Sequence, residues 1–280
     1  MGLSVGRVRH RAKARLRAAV AVNRDRRGTR LVARLAQGYL NAFHNFEYNA
    51  SRNGEARVLR CASGAGLRVV LDVGANIGQW SRLAVECSPD AEIHAFEIVP
   101  ETARRLAATP GVHRVNAFGL GGRAESVEVR VPFGPTSVHA SIYGTTGATV
   151  TGRLETGDAY CADHGIAAVD FVKIDTEGSE LDVLAGLSDL LGSRSIQMIQ
   201  FECGALTFGA NHCLKDFYDL LEPAGFTIGK IYPESVDFRP YEPGLEQWAG
   251  PNHLAVLRDS PVLGALRGTP GAGRSSPARP

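Results

Sequence analysis

Residues 67–80 read LRVVLDVGANIGQW, in which an apolar run meets an acidic residue and then a turn of small residues. The run 68–73 is typical of a buried strand, and the pattern of 79–87 is typical of an amphipathic helix. Between them, Gly74 and Gly78 allow the backbone to turn tightly and a ligand to lie close to it. A strand, a glycine turn and a helix in this order favour a ligand site at the carboxyl end of the strand, with the helix N-terminus directed at the ligand.

The rest of the chain repeats this alternation of short apolar runs and helical segments. A helix between most strands predicts parallel crossovers. Strands that are apolar almost throughout predict a sheet covered on both faces. The expected fold class is therefore α/β, with a mostly parallel sheet and helices on both sides. The predicted strands are 68–73, 92–97, 113–118, 169–175, 196–202, 226–232 and 253–257, and the predicted helices are 79–87, 100–108, 179–190 and 212–222.

Three regions differ from this pattern. Residues 1–60 form a basic helical extension, in which 30–47 predict an amphipathic helix that packs on something larger. Residues 125–155 alternate with period two around a Gly/Ser/Thr-rich stretch, which predicts an inserted β-hairpin whose mobile loop closes over a bound acceptor. Residues 259–280 are rich in Pro, Gly and Ser and predict a disordered tail. The catalytic domain is expected to span 61–258.

Charge is distributed unevenly between the arm and the remainder of the chain. Residues 1–35 contain eleven Lys or Arg and one acid, so the remainder carries a net charge of −8. A mildly acidic globular part gives no reason to expect a nucleic-acid partner. The arm lacks the apolar core of a signal peptide, because AAVAV is short and more arginines follow it. It is either a solvated helix or a peripheral contact with anionic lipid or another polyanion. The expected location is the cytoplasm, with a peripheral contact at the inner membrane face in the second case.

The cysteines and the apolar runs give two further expectations. The chain has five cysteines and no C-x-x-C pair, which fits free thiols in a reducing cytoplasm and does not indicate a cysteine zinc site. No apolar run reaches the roughly 18 residues that a bilayer-spanning helix needs.

The acidic residue before the first glycine turn indicates which kind of nucleotide this site can bind. The pattern is D-x-G-x-x-x-G, and Asn76 stands where a dinucleotide fingerprint has its middle glycine. Asp72 repels a pyrophosphate and suits a cofactor that is cationic at a sulfonium and at an amino group. The small residue Ala75 completes the turn. Taken alone, an acid at a strand end is more often a helix N-cap.

Further cofactor contacts are expected at the ends of the next strands. Glu97 ends the second strand 19 residues after Gly78, where a carboxylate can bind both hydroxyls of a ribose. Ile98 follows it and belongs to the same expected cofactor site. Asn116 or its neighbour Ala117, near the end of the third strand, could border an adenine edge.

The chemistry is expected at the ends of the fourth and fifth strands. KIDTEGSE places Asp175 and Glu177 near the cofactor, with Asp175 facing the methyl group or the acceptor, although acids here could simply favour a helix N-terminus. Asp175 and Glu202 could together hold a hydroxyl or a divalent cation, but two carboxylates are a weak metal signal. His139 and His212 are candidate general bases, because imidazole titrates near neutrality.

Four motifs in this chain resemble FkbM-type S-adenosylmethionine-dependent methyltransferases. They are LDVGANIGQWSRLA, AFEIVPETARRL, VDFVKIDTEGSELDVLAGL and IQMIQFE, and the similarity covers roughly residues 45–258 in consistent order. The resemblance implies a class I fold with a seven-stranded sheet, S-adenosyl-L-methionine as the cofactor, and O-methylation of a sugar or polyketide hydroxyl. Ile98 departs from the proline that the family often has there, a difference expected to alter a turn and not the chemistry.

The resulting prediction is an O-methyltransferase acting on a sugar, glycolipid or polyketide-type metabolite. The acceptor is expected to be a small molecule or a lipid-linked glycan. Two alternatives remain open: a nicotinamide-dependent oxidoreductase, which the absent middle glycine disfavours, and a methyltransferase-like module that binds without catalysing. The sequence leaves the acceptor, the metal requirement and the oligomeric state undetermined.

Overall fold

The computed structural model describes residues 2–132 and 140–268, with side chains described at residue 10 and from residue 12 onward. Contact clustering divides the chain into two compact units, Met1–Phe46 and Glu47–Pro280. None of the described helices combines the length with the apolar character that a bilayer crossing requires.

The first unit consists of two helices, α1 (Gly2–Val22) and α2 (Arg27–Phe43). Helix α2 is amphipathic, as its sequence predicts, but it contains no buried residue. Leu35, Tyr39 and Phe43 on its apolar side are 66%, 68% and 61% exposed. The packing of this helix on a larger partner, which its sequence predicts, stays a prediction.

The second unit alternates strands and helices in the predicted order. Its strands are β1 (Val69–Val73), β2 (Glu92–Phe96), β3 (Arg114–Asn116), β4 (Gly119–Leu120), β5 (Glu125–Val131), β6 (Ala148–Glu155), β7 (Val169–Ile174), β8 (Ile196–Glu202), β9 (Phe226–Tyr232), β10 (Ser235–Phe238) and β11 (Asn252–Leu257). Its helices are α3 (Glu55–Gly64), α4 (Gln79–Cys87), α5 (Pro100–Leu106), α6 (Gly157–Asp163), α7 (Glu180–Ala185), α8 (Ser188–Gly192), α9 (Ala205–Gly209), α10 (Leu214–Leu221) and α11 (Leu263–Leu266), with a 3₁₀ turn at Pro243–Leu245.

The main sheet has the strand order β10-β9-β11-β8-β7-β1-β2-β3. Strands β3, β2, β1, β7 and β8 pair in parallel, and β11 runs antiparallel to both β8 and β9. This is the α/β sheet predicted from the sequence. The predicted seven strands are joined by an eighth, β10, which pairs antiparallel with β9 at the sheet edge.

A second sheet holds the predicted hairpin. Strands β5 and β6 pair antiparallel over their full length, and β4 adds to β6 in parallel. The alternation of half-exposed and buried side chains along β5 is the period-two pattern that predicted it. Part of the segment that connects β5 and β6, residues 133–139, lies outside the described residues.

The structure corrects two sequence-based expectations. The helix predicted over 179–190 is divided into α7 and α8 around Gly186, where a Cβ atom would overlap the carbonyl oxygen of Gly121. The tail predicted from residue 259 contains α11, because Val262 and Leu266 are apolar enough to bury against the core. Residues 269–280 of that tail lie outside the described residues.

The sheet separates two apolar layers, because successive strand residues face opposite sides. Leu71 and Val73 of β1 belong to the layer that includes the buried residues of α7, α8 and α10. Val70 belongs to the opposite layer, with residues of α3, α4 and α11. Asp72 lies two residues beyond Val70 on the same strand, so its carboxylate enters the α3/α4 side at the carboxyl edge of the sheet.

Candidate active site

A row of polar side chains crosses the three central strands at the carboxyl edge. Asp72 of β1 pairs in register with Lys173 of β7, and Lys173 pairs with Gln200 of β8. Residues in register on neighbouring strands face the same side of a sheet, so the three side chains form one layer. All three are buried, with exposures of 0%, 6% and 1%.

Lys173 is the centre of this row. Its Nζ lies 2.9 Å from Asp175 Oδ2 and 3.8 Å from Asp72 Oδ1. Burial lowers the pKa of Lys173, but the charges of Asp175, Asp72 and Glu55 outweigh burial and leave it raised. The ammonium is therefore charged at neutral pH and joins the ends of β1 and β7.

Asp72 is enclosed on all sides. Its Oδ2 accepts a hydrogen bond of 2.5 Å from the Ser81 hydroxyl of α4, and no described residue donates a hydrogen bond to its Oδ1. A residue with no exposed surface does not offer its carboxylate to a ligand in this arrangement. Asp72 thus supports the site through Lys173 and Ser81, whereas the sequence suggested a direct contact with a cationic cofactor.

Glu55, which the sequence analysis missed, closes the polar row from α3. Its Oε2 accepts a 2.6 Å hydrogen bond from Gln200, and its Oε1 accepts one of 2.5 Å from Asn53. Burial raises the pKa of Glu55 and the charge of Lys173 lowers it. The sequence feature that could have indicated Glu55 is the tripeptide Asn53-Gly54-Glu55, which puts an acid in the first turn of a helix whose other side is apolar.

The glycine turn after β1 brings two strands together. Gly74 has φ +80°, and a Cβ atom there would overlap the carbonyl oxygen of Asp175. The amides of Gly74 and Ala75 both donate to the carbonyl of Phe96 at the end of β2, at 3.0 and 2.9 Å. The close neighbour that requires glycine at 74 is therefore the backbone after β7, while sequence reasoning assigned that role to a ligand. Gly78 (φ +78°) then precedes α4.

Glu97 is held rigidly at the end of β2. Its Oε2 accepts a 2.9 Å hydrogen bond from the Asn76 amide, and its Oε1 accepts one of 2.8 Å from the Val99 amide. Burial raises the pKa of Glu97 to about 7, although these two bonds favour the carboxylate. The carboxylate thus sits at the sheet edge beside the glycine turn, where the sequence predicts a ribose.

The residues expected near an adenine occupy different environments. Asn116 is buried, and its amide donates to the Ala95 carbonyl and to the Tyr160 hydroxyl, both at 3.2 Å. Ala117 is exposed, and Ile98 is partly buried in the apolar cluster of the β5–β6 hairpin. Ala117 and Ile98 remain open to a ligand in this arrangement, whereas the amide of Asn116 is already engaged inside the fold.

Two glutamates define the conformation of the turn after β7. Glu177 adopts a left-handed backbone with φ +55°. Glu180 is buried, and its carboxylate accepts from the amides of Thr176 and Gly178 at 3.0 Å. Glu180 therefore shapes the turn, as an acid at a helix N-terminus can, while Glu177 sits at its tip.

The hairpin segment 140–147 docks on this turn. The Ser141 hydroxyl donates to the Glu177 carbonyl at 2.6 Å, and the Tyr143 hydroxyl donates to Asp182 at 2.7 Å. The part of the predicted closing loop that the structure describes thus contacts the site, and His139 lies outside the described residues.

Acidic groups accumulate around Asp175. Burial, with Asp175 and Glu180, raises the pKa of Glu177 to about 8. Burial, with Asp175 and Glu177, raises the pKa of Glu202 well above its ordinary value. Tyr48 also lies near this group, because burial and then Glu202, Glu177 and Asp175 raise its pKa. Acidic groups are thus concentrated at the carboxyl edge of the sheet, here called the rim, where a pKa of about 8 keeps Glu177 mostly protonated at pH 7. The side chain of Asp175 remains 32% exposed.

His212 and a rim metal receive little support from the geometry. His212 follows α9, and its Nδ1 lies 3.6 Å from Asp216 at the start of α10. Within the described residues, one group of three His, Cys, Asp or Glu side chains has metal-ligand spacing, and it is Glu92, His94 and His113, not the rim carboxylates.

Comparison with known proteins identifies the family. Residues 72–228 match the model of the methyltransferase FkbM domain, which covers more than half of the chain. The chain belongs to the FkbM methyltransferase family. The matched range includes the glycine turn, Glu97, Asp175 and Glu202.

Several curated proteins are similar to this chain. It is 29% identical over 140 residues to the hexuronic acid methyltransferase AglP of Haloferax volcanii, an alignment that covers 49% of this chain and 56% of AglP. It is 30% identical over 199 residues to the 31-O-demethyl-FK506 methyltransferase FkbM of Streptomyces tacrolimicus, covering 57% of this chain and 73% of that protein. The chain thus spans little more than half the length of AglP.

Among solved structures, the methyltransferase FkbM of Methylobacillus flagellatus aligns with a TM-score of 0.41 and 18% identity. That alignment covers 68% of this chain and 43% of the other.

The raised pKa of Glu177 predicts how stability depends on pH. The group ionises near pH 8 in the folded protein and near its ordinary value of about 4.3 in the unfolded chain. Between these values the folded state binds more protons, so the free energy of unfolding falls as pH rises through the window. In Glu177→Gln this fall should be shallower. Urea unfolding at about pH 5, 7 and 9 measures it.

Glu128→Gln, at an exposed position of β5, is the matched control and should follow the wild type. Equal slopes in the wild type and Glu177→Gln would show that Glu177 does not ionise in this way.

Proposed function

We propose that this chain is an S-adenosylmethionine-dependent O-methyltransferase whose acceptor is a hydroxyl of a sugar, a glycolipid or a polyketide-type metabolite. The observation that carries the proposal is the clamped carboxylate of Glu97 beside the Gly74–Gly78 turn, in a chain of the FkbM family. A fixed acid at the end of the second strand of an α/β sheet suits the two hydroxyls of a ribose.

The residues at the rim fit this cofactor chemically. Glu97 would bind the ribose hydroxyls, and the backbone of 74–78 would lie along the cofactor with the N-terminus of α4 beyond it. Ile98 and Ala117 would flank the adenine. A bound cationic cofactor would favour the carboxylate forms of Glu177 and Glu202 beside Asp175, because a nearby positive charge lowers the pKa values that burial and mutual repulsion raise.

When bound, S-adenosylmethionine supplies an electrophilic methyl group, and the protein must align a hydroxyl with it and remove the hydroxyl proton. We assign the acceptance of this proton to the carboxylate of Asp175, because it is partly exposed and Lys173 holds it in place through a hydrogen bond to Oδ2. Glu202, at the end of the neighbouring strand, would orient the acceptor hydroxyl. Positioning of this kind supplies roughly 7–11 kcal/mol in favourable cases. His139 and His212 stay as alternative bases.

The names of the relatives support an oxygen acceptor. One relative is a 31-O-demethyl-FK506 methyltransferase, and another is the 2-O-methyltransferase NoeI of Sinorhizobium fredii, 25% identical over 142 residues, covering 44% of this chain and 58% of NoeI. AglP is named for hexuronic acid. Sugar and macrolide hydroxyls are accordingly the acceptor classes that we propose for this chain.

The N-terminal unit suggests a lipid-linked acceptor. Helix α2 exposes an apolar side with Leu35, Tyr39 and Phe43, and of the eleven basic residues in 1–35 three lie in α2 and eight precede it. A basic amphipathic helix with aromatic residues on its apolar side is typical of helices that lie in a membrane interface. We propose that this unit binds an anionic bilayer surface and brings the enzyme to a lipid-linked glycan.

Binding of the cofactor product should depend on Glu97 and on pH. Because the bound ribose favours the carboxylate and the pKa of Glu97 is about 7 in the free protein, affinity for S-adenosylhomocysteine should rise as pH increases through neutrality. In Glu97→Gln, calorimetry should show a loss of about 10- to 100-fold and no such rise. Glu101→Gln in α5 is the control, and wild-type affinity in Glu97→Gln would contradict the cofactor assignment.

The transfer itself is tested in cells. Deletion of the gene should remove one or more methylated glycans, glycolipids or small metabolites, each replaced by a species lighter by one methylene. The wild-type gene should restore them, whereas Asp175→Asn should lower the rate by about 100- to 10,000-fold while still binding S-adenosylhomocysteine. An unchanged metabolite profile after deletion, or full restoration by Asp175→Asn, would oppose the assignment.

Membrane binding is tested with vesicles and the full chain. We expect the protein to float with vesicles of phosphatidylglycerol and phosphatidylcholine and not with phosphatidylcholine alone, and to dissociate as salt is added. Leu35→Glu with Phe43→Glu should weaken binding at least about tenfold, because each removes an apolar side chain whose insertion into the bilayer would contribute about 1.5–3 kcal/mol. Gln37→Glu on the same helix is the control. Equal binding by all variants would exclude α2 as the contact.

A further inference from the structure

A cluster of metal-ligating side chains lies at the edge of the sheet opposite the candidate active site. Glu92 and His94 are at the amino end of β2, and His113 directly precedes β3. One donor atom from each residue lies within 4.8 Å of the other two, and His94 Nε2 is 3.9 Å from Glu92 Oε2. His94 is three residues before Glu97 along the strand, a separation of about 10 Å.

The buried imidazole of His94 is the observation that points to a ligand. The residue is 3% exposed, yet its Nε2 is buried and has no hydrogen-bond partner among the described residues. A buried polar atom left unpaired typically costs about 1–3 kcal/mol, which a bound partner would recover. This nitrogen lies 3.9 Å from Glu92 Oε2, and His113 supplies the third donor of the group.

The other nitrogen of His94 is already positioned. Its Nδ1 lies 2.7 Å from the hydroxyl of Tyr160, which also accepts from the side chain of Asn116. In the tautomer that carries its proton on Nδ1, the ring donates to Tyr160 and directs the lone pair of Nε2 outward. A second hydrogen bond of this kind orients histidine ligands in many metal sites.

The surroundings of the cluster keep the imidazole of His94 neutral, the form that can bind a cation. Burial, and then the charge of His113, lower the pKa of His94 to about 4, so the ring is neutral at pH 7. Arg114 pairs with His94 in register across β2 and β3, and its charge opposes a cation. The carboxylate of Glu92 acts in the opposite direction and offsets it.

We propose that Glu92, His94 and His113 form a zinc site that joins the start of β2 to the segment before β3. Two imidazoles and one carboxylate are common zinc ligands, with bonds of about 2.0–2.1 Å and a fourth position left for water. Tetrahedral geometry at that length needs ligand atoms about 3.4 Å apart. The exposed side chains of Glu92 and His113 can move this far, whereas His94 is fixed.

The site would strengthen an otherwise weak edge. Strand β3 spans three residues and pairs only with β2 in the main sheet of the described chain. A metal bound to the folded state and not to the unfolded chain raises stability by mass action. The proposal is independent of the methyltransferase assignment, because none of these residues lies at the cofactor edge.

The test uses untagged full-length protein stripped of metal with a chelator. Zinc competition with a chromophoric chelator should report one tight site, and zinc should raise the melting temperature of the wild type. Cobalt in place of zinc should give the intense visible absorption of a tetrahedral site. His113→Ala and Glu92→Gln should each weaken zinc binding by at least about 100-fold and abolish the zinc-dependent rise in melting temperature.

The variants alter exposed side chains, so both should fold without metal, and circular dichroism checks this. His10→Ala removes an exposed histidine of α1 and should leave zinc binding unchanged. Zinc affinity that is equal in the wild type, His113→Ala and Glu92→Gln would overturn the proposal, and so would the absence of a tight site in the wild type.

Discussion

A lysine ammonium buried between two carboxylates organises the carboxyl edge of this sheet. Lys173 of β7 forms an ion pair with Asp175, just beyond the end of that strand. Its Nζ also lies 3.8 Å from Asp72 on the neighbouring strand β1. Removing one partner of a buried ion pair typically costs about 3–5 kcal/mol, because the remaining charge is left uncompensated. The three residues therefore form one unit. Gln200, Glu55 and Ser81 complete the layer and fix the positions of the strand ends.

The same constraint explains why the pKa values of the rim carboxyl groups are raised. One lysine lies among more carboxylates than it can neutralise, and burial together with mutual repulsion raises the pKa of Glu97, Glu177 and Glu202. A site of this kind disfavours a diphosphate and favours a cation. A cofactor with a sulfonium, an amino group and a ribose, as we propose, would meet both demands, since each Glu97 oxygen accepts one backbone hydrogen bond and keeps a lone pair for a hydroxyl donor.

The sequence predicted those strands that are determined by the pattern of their own residues. Apolar runs ended by acids located β1, β2, β7 and β8, and the period-two pattern located the β5–β6 hairpin. It did not predict Glu55 or Gln200, because their roles arise from strand register and from the packing of α3 across the sheet. The burial of Leu266 in a Pro/Gly-rich tail and the meeting of His94 with His113 likewise depend on tertiary neighbours. Asp72 was placed correctly at its strand end, but its enclosure was not foreseeable from one strand.

The most direct test of this account is a crystal structure of the protein with S-adenosylhomocysteine. The account predicts both ribose hydroxyls on the Glu97 carboxylate, the homocysteine part along the 74–78 backbone, and Lys173 still joined to Asp72 and Asp175. A rim that stays empty at saturating ligand, or one that binds the diphosphate of a nicotinamide dinucleotide at the glycine turn, would contradict it.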